Sequence, residues 1–110
     1  MNGVKTQHNC TSFLGFYSEQ NSGRPTRIGV FETIDGTTND YWLENGLPFK
    51  GIDTDFSHGI TVVEIILEGM THVIRNVRKL SPIYSLDGGE EGMDIIATDG
   101  TTTILRYEDS

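Results

Sequence analysis

Three histidines and several carboxylates are the side chains of this sequence best suited to metal binding or acid–base chemistry. Asp53 and Asp55 precede His58 closely, so two oxygen ligands stand just before an imidazole. A divalent ion accepts such ligands, although this spacing matches no established metal motif. We therefore predict no metal site. A metal-dependent or small-molecule enzyme with a site near His72 stays open as the alternative, with the other three residues as accessory groups.

His72 is the polar residue whose predicted position is most informative. The first hairpin described below places it opposite Ile65 on an apolar face. Burial there, together with a neighbouring carboxylate, shifts the titration of an imidazole, which suits a site residue. A core histidine that only makes a hydrogen bond fits the same position and is the commoner case. We take His72 as a candidate binding residue, and the sequence leaves open whether the protein is an enzyme.

Motifs for covalent catalysis and for common cofactors are missing from the sequence. Cys10 has His8 two residues away but stands at the edge of a polar segment, and no serine lies in a Gly-x-Ser-x-Gly elbow. The glycines are spread among turns and form no phosphate-binding loop. The acidic loop from Asp87 to Asp94 could hold a cation, but a solvated turn explains it better. We predict no cofactor and no catalytic residue.

A group of bulky residues between positions 41 and 49 is the strongest candidate for contact with a partner. The group comprises Tyr41, Trp42, Leu43, Leu47, Pro48 and Phe49. These side chains either line the core or form the type of exposed apolar patch that proteins use for partners, and core lining is the commoner case. The predicted ligand-binding or partner-binding residues are Tyr41, Trp42, Leu47, Phe49 and His72.

The acidic composition limits the kinds of partner. Asp and Glu number 16 against 8 Lys and Arg, which gives a formal net charge of -8 at pH 7. Such a chain repels phosphate backbones and anionic lipid, so we expect neither nucleic acid nor a membrane as a partner. No apolar run approaches the ~20 residues of a membrane span, and the first residues lack the apolar core of a secretion signal. We expect a cytoplasmic protein with a protein partner or a homodimer.

Two hairpins position the candidate residues in the second half of the chain. A two-residue turn at Glu68-Gly69 between apolar runs places Ile65 opposite His72. Asp99-Gly100 lies between β-branched runs, and a turn of the same length places Ile95 opposite Ile104. Both hairpins predict antiparallel strands.

The first half of the chain predicts a helix and then strands. The spacing of Phe13, Leu14, Phe16 and Tyr17 indicates a short helix from about residue 11. The run 27–33 predicts a strand that carries Phe31 on the face opposite Ile28 and Val30, and 41–44 predicts a second one. Gly and Pro punctuate 45–59, which we predict to be a loop. Residues 1–10 are predicted to be a flexible tail and 11–110 a single domain.

Taken together, the order of elements resembles an uncharacterised bacterial family of small proteins, a domain of unknown function with an N-terminal helix followed by antiparallel strands. The residues that carry the resemblance are Phe13–Gln20, Leu47–Ile52, His72–Arg75 and Thr98–Arg106. The resemblance implies the fold and the length of the chain and brings no activity.

The predicted fold class is α+β, with a short N-terminal helix packed on a twisted, mostly antiparallel sheet of five to seven strands. No βαβ alternation in the sequence demands a parallel sheet. Because the motifs of nucleophilic catalysis and of common cofactor sites are missing from the sequence, we expect a small non-enzymatic binding or protein-interaction domain.

Overall fold

The computed structural model describes the backbone of residues 2–34 and 36–108, and the side chains of 12–33, 36–43 and 45–108. One helix precedes seven strands: α1 (Asn2–Asn21), β1 (Pro25–Ile34), β2 (Thr37–Ser57), β3 (Ile60–Leu67), β4 (Met70–Ile74), β5 (Val77–Tyr84), β6 (Glu90–Ala97) and β7 (Thr102–Tyr107). The strands pair in the order β4-β3-β2-β1-β7-β6-β5, and every pairing is antiparallel. The predicted α+β class, one helix on an antiparallel sheet, is confirmed in this form.

Helix α1 is longer than the sequence pattern indicated. It begins at Asn2 rather than near residue 11, and it ends at Asn21, just before Gly23 adopts a φ of 88°. Leu14 and Tyr17 lie on its buried side, because residues three apart share one helical face. The division into a tail of 1–10 and a domain of 11–110 stays a prediction. Within residues 2–34 and 36–108, no helix combines the length and the apolarity needed to cross a membrane.

Strand β2 contradicts the loop predicted for 45–59. Its first part pairs with β1 as far as Pro48, and its second part, from Phe49, pairs with β3. Gly46 has a φ of 98°, and an irregularity in the ladder falls between Phe49 and Gly51. The glycines and the proline therefore mark the place where one strand bends and changes its partner.

The sheet is curled, so that its two outer strands approach each other. Strands β4 and β5 stand at opposite ends of the pairing order, yet only Arg75 and Asn76 separate them along the chain. Asn76 absorbs the sharp change of direction with a φ of 58°, and β5 also packs against β3. This curl creates an interior that α1 fills from one side.

The core lies between α1 and the inner side of the sheet. Ser18 ties the two together, because its hydroxyl accepts the N–H of Ile52 at 2.9 Å and donates to the carbonyl oxygen of the same residue at 3.3 Å. The buried apolar residues of this core are Leu14, Tyr17, Ile28, Phe49, Ile52, Val63, Ile65, Leu67, Ile74, Val77, Met93, Ile95 and Leu105.

One predicted hairpin register is correct and the other is wrong by one residue. The β3–β4 hairpin pairs Ile65 with His72, as a two-residue turn requires. The β6–β7 hairpin pairs Ile95 with Thr103 rather than with Ile104. Its loop has three residues, closed by the N–H of Ala97 donating to the carbonyl oxygen of Thr101 at 2.9 Å. The glycine of the Asp-Gly pair has a positive φ in this longer loop as well.

Candidate binding surface

The structure divides the predicted site residues between the surface and the core. Tyr41 and Trp42 are exposed, with relative accessibilities of 47% and 51%. Leu47 is partly buried against the core, and Phe49 is fully buried within it. Leu47 and Phe49 therefore belong to the packing of the fold and cannot form an exposed patch with the other two.

Trp42 is exposed and nevertheless held in place. It pairs with Gly29 across β1 and β2, and its ring lies so close above this glycine that a Cβ atom there would stand 2.8 Å from the ring carbon Cε3. The guanidinium of Arg27 lies 4.7 Å from the ring centroid, a cation–π contact. Arg27 in turn forms an ion pair with Glu108 at 3.4 Å. These contacts fix one orientation of the indole.

Phe31 lies near Trp42 on the same face of the sheet. Gly29 and Phe31 are two residues apart on β1, so both point away from the core, whereas Val30 between them is buried. A cleft of about 60 Å³ separates the two aromatic residues, with Gly29 and Ile104 among its lining. We call Phe31, Trp42 and this cleft the aromatic face.

Tyr41 points to the opposite side of β2. It pairs with the buried Val30, and its hydroxyl donates to Oε1 of Glu32 at 2.9 Å. This hydrogen bond to a carboxylate stabilises the protonated phenol and raises the pKa of Tyr41. Tyr41 is thus an exposed residue that lines part of the cleft from its other side, and its hydroxyl already has an acceptor.

His72 does not meet the other candidate site residues. It lies in a core-facing row with Ile65 and Ile52, whereas Asp53 points to the other face opposite Glu64. His58 stands in the turn between β2 and β3, at a distance of about 17 Å along β3 from the row of His72, given ~3.4 Å per residue.

His58 has a structural reason to be where it is. Its φ is 53° and that of Gly59 is 80°, the two positive values of a type I′ turn, which histidine tolerates better than most residues. Among the side chains that the structure describes, no group of three or more His, Cys, Asp or Glu is placed to hold a metal ion. An active site built on the two histidines has no geometric support, and the side chains of His8 and Cys10 lie outside the described ones.

The half-buried position of His72 predicts a pH dependence of stability. Burial lowers its pKa below the usual 6.5, so the unfolded chain binds a proton more readily than the folded one. Above about pH 6.5 the imidazole is neutral in both states, and its titration does not affect stability. As the pH falls below that value, protonation favours the unfolded chain and stability is lost. We expect His72→Gln to reduce the drop in melting temperature between about pH 7.5 and about pH 5.

The control for this prediction is His58→Asn. Asparagine also accepts a positive φ, so the exposed turn should be kept and the drop in melting temperature should equal that of the wild type. If His72→Gln loses as much stability on acidification as the wild type, protonation of His72 does not cause the loss.

A polar cluster where α1 meets the sheet has no signal in the sequence. Asn21 is buried, and its Nδ2 donates to Oε1 of Glu90 at 3.0 Å. Nη1 of Arg24 donates to Oδ1 of Asn21 at 2.7 Å and to the carbonyl oxygen of Glu90 at 2.8 Å. The guanidinium also lies 4.3 Å from the ring centroid of Tyr107. The cluster joins residues 69 positions apart, so no local pattern could indicate it.

Comparisons with protein-family models, with curated proteins and with solved structures gave no match. The helix and the antiparallel sheet are compatible with the uncharacterised small domain that the sequence resembles, and the bacterial family itself stays a prediction.

Proposed function

We propose that the protein is a non-enzymatic binding domain that holds a protein partner on its aromatic face. The observation that carries the proposal is a half-exposed Trp42 locked in one orientation by Gly29 and Arg27. Trp is the residue type most enriched among side chains that dominate binding energy. A side chain that is already ordered loses little conformational entropy on binding, which favours affinity.

The size of the cleft favours a protein over a small molecule. Small-molecule sites enclose about 300–1,000 Å³, whereas the cleft between Phe31 and Trp42 encloses about 60 Å³. A space of this size accepts part of one apolar side chain. The remaining contact would come from the exposed flanks of the two aromatic rings, whose accessibilities are 40% and 51%.

Charge favours a partner with basic residues beside its apolar anchor. Asp40 lines the cleft, and Arg27, whose guanidinium lies over the Trp42 ring, is already paired with Glu108. The net charge of -8 attracts a basic surface over the distance set by salt screening. We therefore infer a partner segment that combines one apolar side chain with neighbouring Lys or Arg.

A random peptide library displayed on phage tests this proposal. We expect selection on the wild type to enrich peptides with an apolar residue beside Lys or Arg. Trp42→Ala should weaken a selected synthetic peptide by about tenfold or more, because the loss of a central aromatic contact costs about 2 kcal/mol. Circular dichroism should show that the variant stays folded, since Trp42 lies outside the buried core cluster.

The matched control is Phe56→Ala. Phe56 has an accessibility of 54% and lies in the other half of β2, so its loss removes an aromatic ring exposed to a similar fraction, away from the aromatic face. Its effect on the same peptide should be small. Equal binding by the wild type and Trp42→Ala would contradict the proposal, and sedimentation of both proteins would show whether a second copy of the chain occupies the face instead.

A further inference from the structure

The first half of β2 forms an edge of the sheet. Residues 37–43 pair with β1 on one side, whereas β3 joins β2 only from Phe49 onward. Within residues 2–34 and 36–108, no strand pairs with the other side of 37–43, and every residue of this run is exposed. We call residues 37–43 the open edge. It contains Asp40 and Trp42, so it borders the aromatic face.

Three residues of the open edge direct their backbone N–H and C=O groups away from β1. Ile34 and Thr37 form the last pair of the β1–β2 hairpin, with two residues between them, so they exchange both of their hydrogen bonds. Along an antiparallel ladder, hydrogen-bonded pairs alternate with pairs that make no such bonds. The backbone groups of Thr38, Asp40 and Trp42 therefore point outward, where an added strand could bond to them.

The two outer strands of the sheet carry features that prevent pairing with another chain, and the open edge does not. Strand β5 has Arg78, Lys79 and Pro82, and both charged side chains and proline hinder the addition of a strand. Strand β4 has only 5 residues. Residues 37–43 include no proline, lysine or arginine, and Asp40 is their one charged residue. The open edge is thus the edge of this sheet best suited to accept a strand.

Charge makes a second copy of this chain a poor occupant of the open edge. Two copies that pair antiparallel through it bring Asp40 close to its counterpart, and like charges opposite each other destabilise a sheet. Each copy also carries a net charge of -8, which opposes association. A segment that places Lys or Arg opposite Asp40 forms an attractive cross-strand pair instead.

The geometry of an added strand fixes the spacing of the partner's side chains. Asp40 and Trp42 are two residues apart on β2 and share one face, since Asp40 pairs with Phe31 and Trp42 pairs with Gly29. The side chains of a strand alternate between its two faces, so a basic and an apolar residue that meet Asp40 and Trp42 must also lie two positions apart. A helical segment would present them three or four positions apart.

We propose that the partner segment binds as an additional β-strand along the open edge, with a Lys or Arg opposite Asp40 and an apolar side chain two positions away against Trp42. This inference rests on the proposed function, because it specifies how the same segment lies on the aromatic face. Backbone hydrogen bonds to the outward groups of the open edge supply affinity, and the two side chains supply specificity.

The peptides selected from the displayed library give the first test. We expect the basic and the apolar residue to recur two positions apart. A selected synthetic peptide is then N-methylated at one backbone amide at a time. Methylation should weaken binding by about tenfold or more at every second residue and little at the residues between, because only alternate N–H groups face β2.

Amide hydrogen exchange on the full chain locates the bound peptide. The N–H groups of Thr38 and Asp40 should exchange at least about tenfold more slowly when the protein is saturated with peptide. Those of Asn39 and Tyr41 already bond to β1 and should change less, which makes them internal controls.

A substitution at Asp40 tests the charge pair. Asp40→Asn should weaken the selected peptide by about two- to fivefold, the range of one cross-strand pair of opposite charges. Glu68→Gln changes the net charge by the same amount at an exposed turn away from the open edge, and should leave the affinity unchanged. Equal weakening by the two variants would indicate diffuse attraction to an acidic chain and would count against the charge pair.

The outcomes separate this inference from the proposed function. Trp42-dependent binding without the alternate N-methyl pattern and without protection of Thr38 and Asp40 would overturn the added strand and leave the proposed function standing. Protection of these amides that grows with protein concentration in the absence of peptide would also overturn it, since a second copy would then occupy the edge. Selection of no peptide, or equal binding by the wild type and Trp42→Ala, would contradict the proposed function and this inference with it.

Discussion

Gly92→Ala is expected to lower the free energy of unfolding by at least about 3 kcal/mol, enough to unfold much of a marginally stable domain. Gly92 lies in β6 between Arg106 of β7 and Ile83 of β5. A Cβ atom at this position would overlap the carbonyl oxygen of Leu105 in the neighbouring strand. A backbone carbonyl cannot rotate away as a side chain can, so relief requires β6 and β7 to separate.

Urea denaturation followed by circular dichroism measures this effect. Gly15→Ala is the matched control, because it adds the same methyl group in open space on α1. Alanine favours a helix over glycine, so the control should be more stable than the wild type by about 0.5–1 kcal/mol. A Gly92→Ala variant within about 1 kcal/mol of the wild type would mean that the two strands can move apart there at little cost.

The sequence predicts local pairing well where the turn length is unambiguous. Glu68 and Gly69 are the two residues between β3 and β4, and the pairing of Ile65 with His72 follows from this turn length. Asp99-Gly100 fits a two-residue turn and a three-residue loop equally, because both place a glycine at a positive φ. Strand β7 also pairs with β1, a partner that the local sequence does not indicate.

Partner exchange along a strand has no signature in a single sequence. The Gly and Pro residues of 45–59 indicate a loop by every local rule, yet β2 continues through them because β1 and β3 supply partners in turn. The His58-Gly59 turn has no clear sequence signal for the same reason, because a turn is recognised from the sequence only between two predicted strands. The course of β2 and the position of this turn both depend on pairing with strands that are distant in the sequence or not evident from it.

The sequence predicts the residues of the candidate surface only as one apolar group and does not separate the exposed members from the buried ones. The residues from Tyr41 to Phe49 are apolar enough for either a core or a patch, and strict alternation cannot sort them, because irregularities in the ladder follow Ile28 and Phe49. Phe31 was predicted on the correct face from alternation in β1, but its nearness to Trp42 required the register.

Phe49→Ala is expected to cost about 3–5 kcal/mol, since it removes a large ring from the centre of the core. The ring is fully buried and stands edge-on to Tyr17 at 6.1 Å and to Tyr107 at 5.4 Å between centroids. Its backbone is equally engaged, with the N–H donating to Arg24 at 2.8 Å and the carbonyl oxygen accepting from Gly23 at 2.7 Å. The backbone at this position is thus fixed, and the surrounding side chains relax only partly into the space.

The same denaturation measurement on Phe56→Ala separates burial from residue type. Phe56 belongs to the same strand but is more than half exposed, so its loss should cost less than about 1 kcal/mol. Phe49→Leu should lie between Phe49→Ala and the wild type, because it refills part of the cavity. Similar losses for the two alanine variants would mean that Phe49 is not the centre of the core, and that the bend of β2 leaves it accessible for the partner contact first predicted for it.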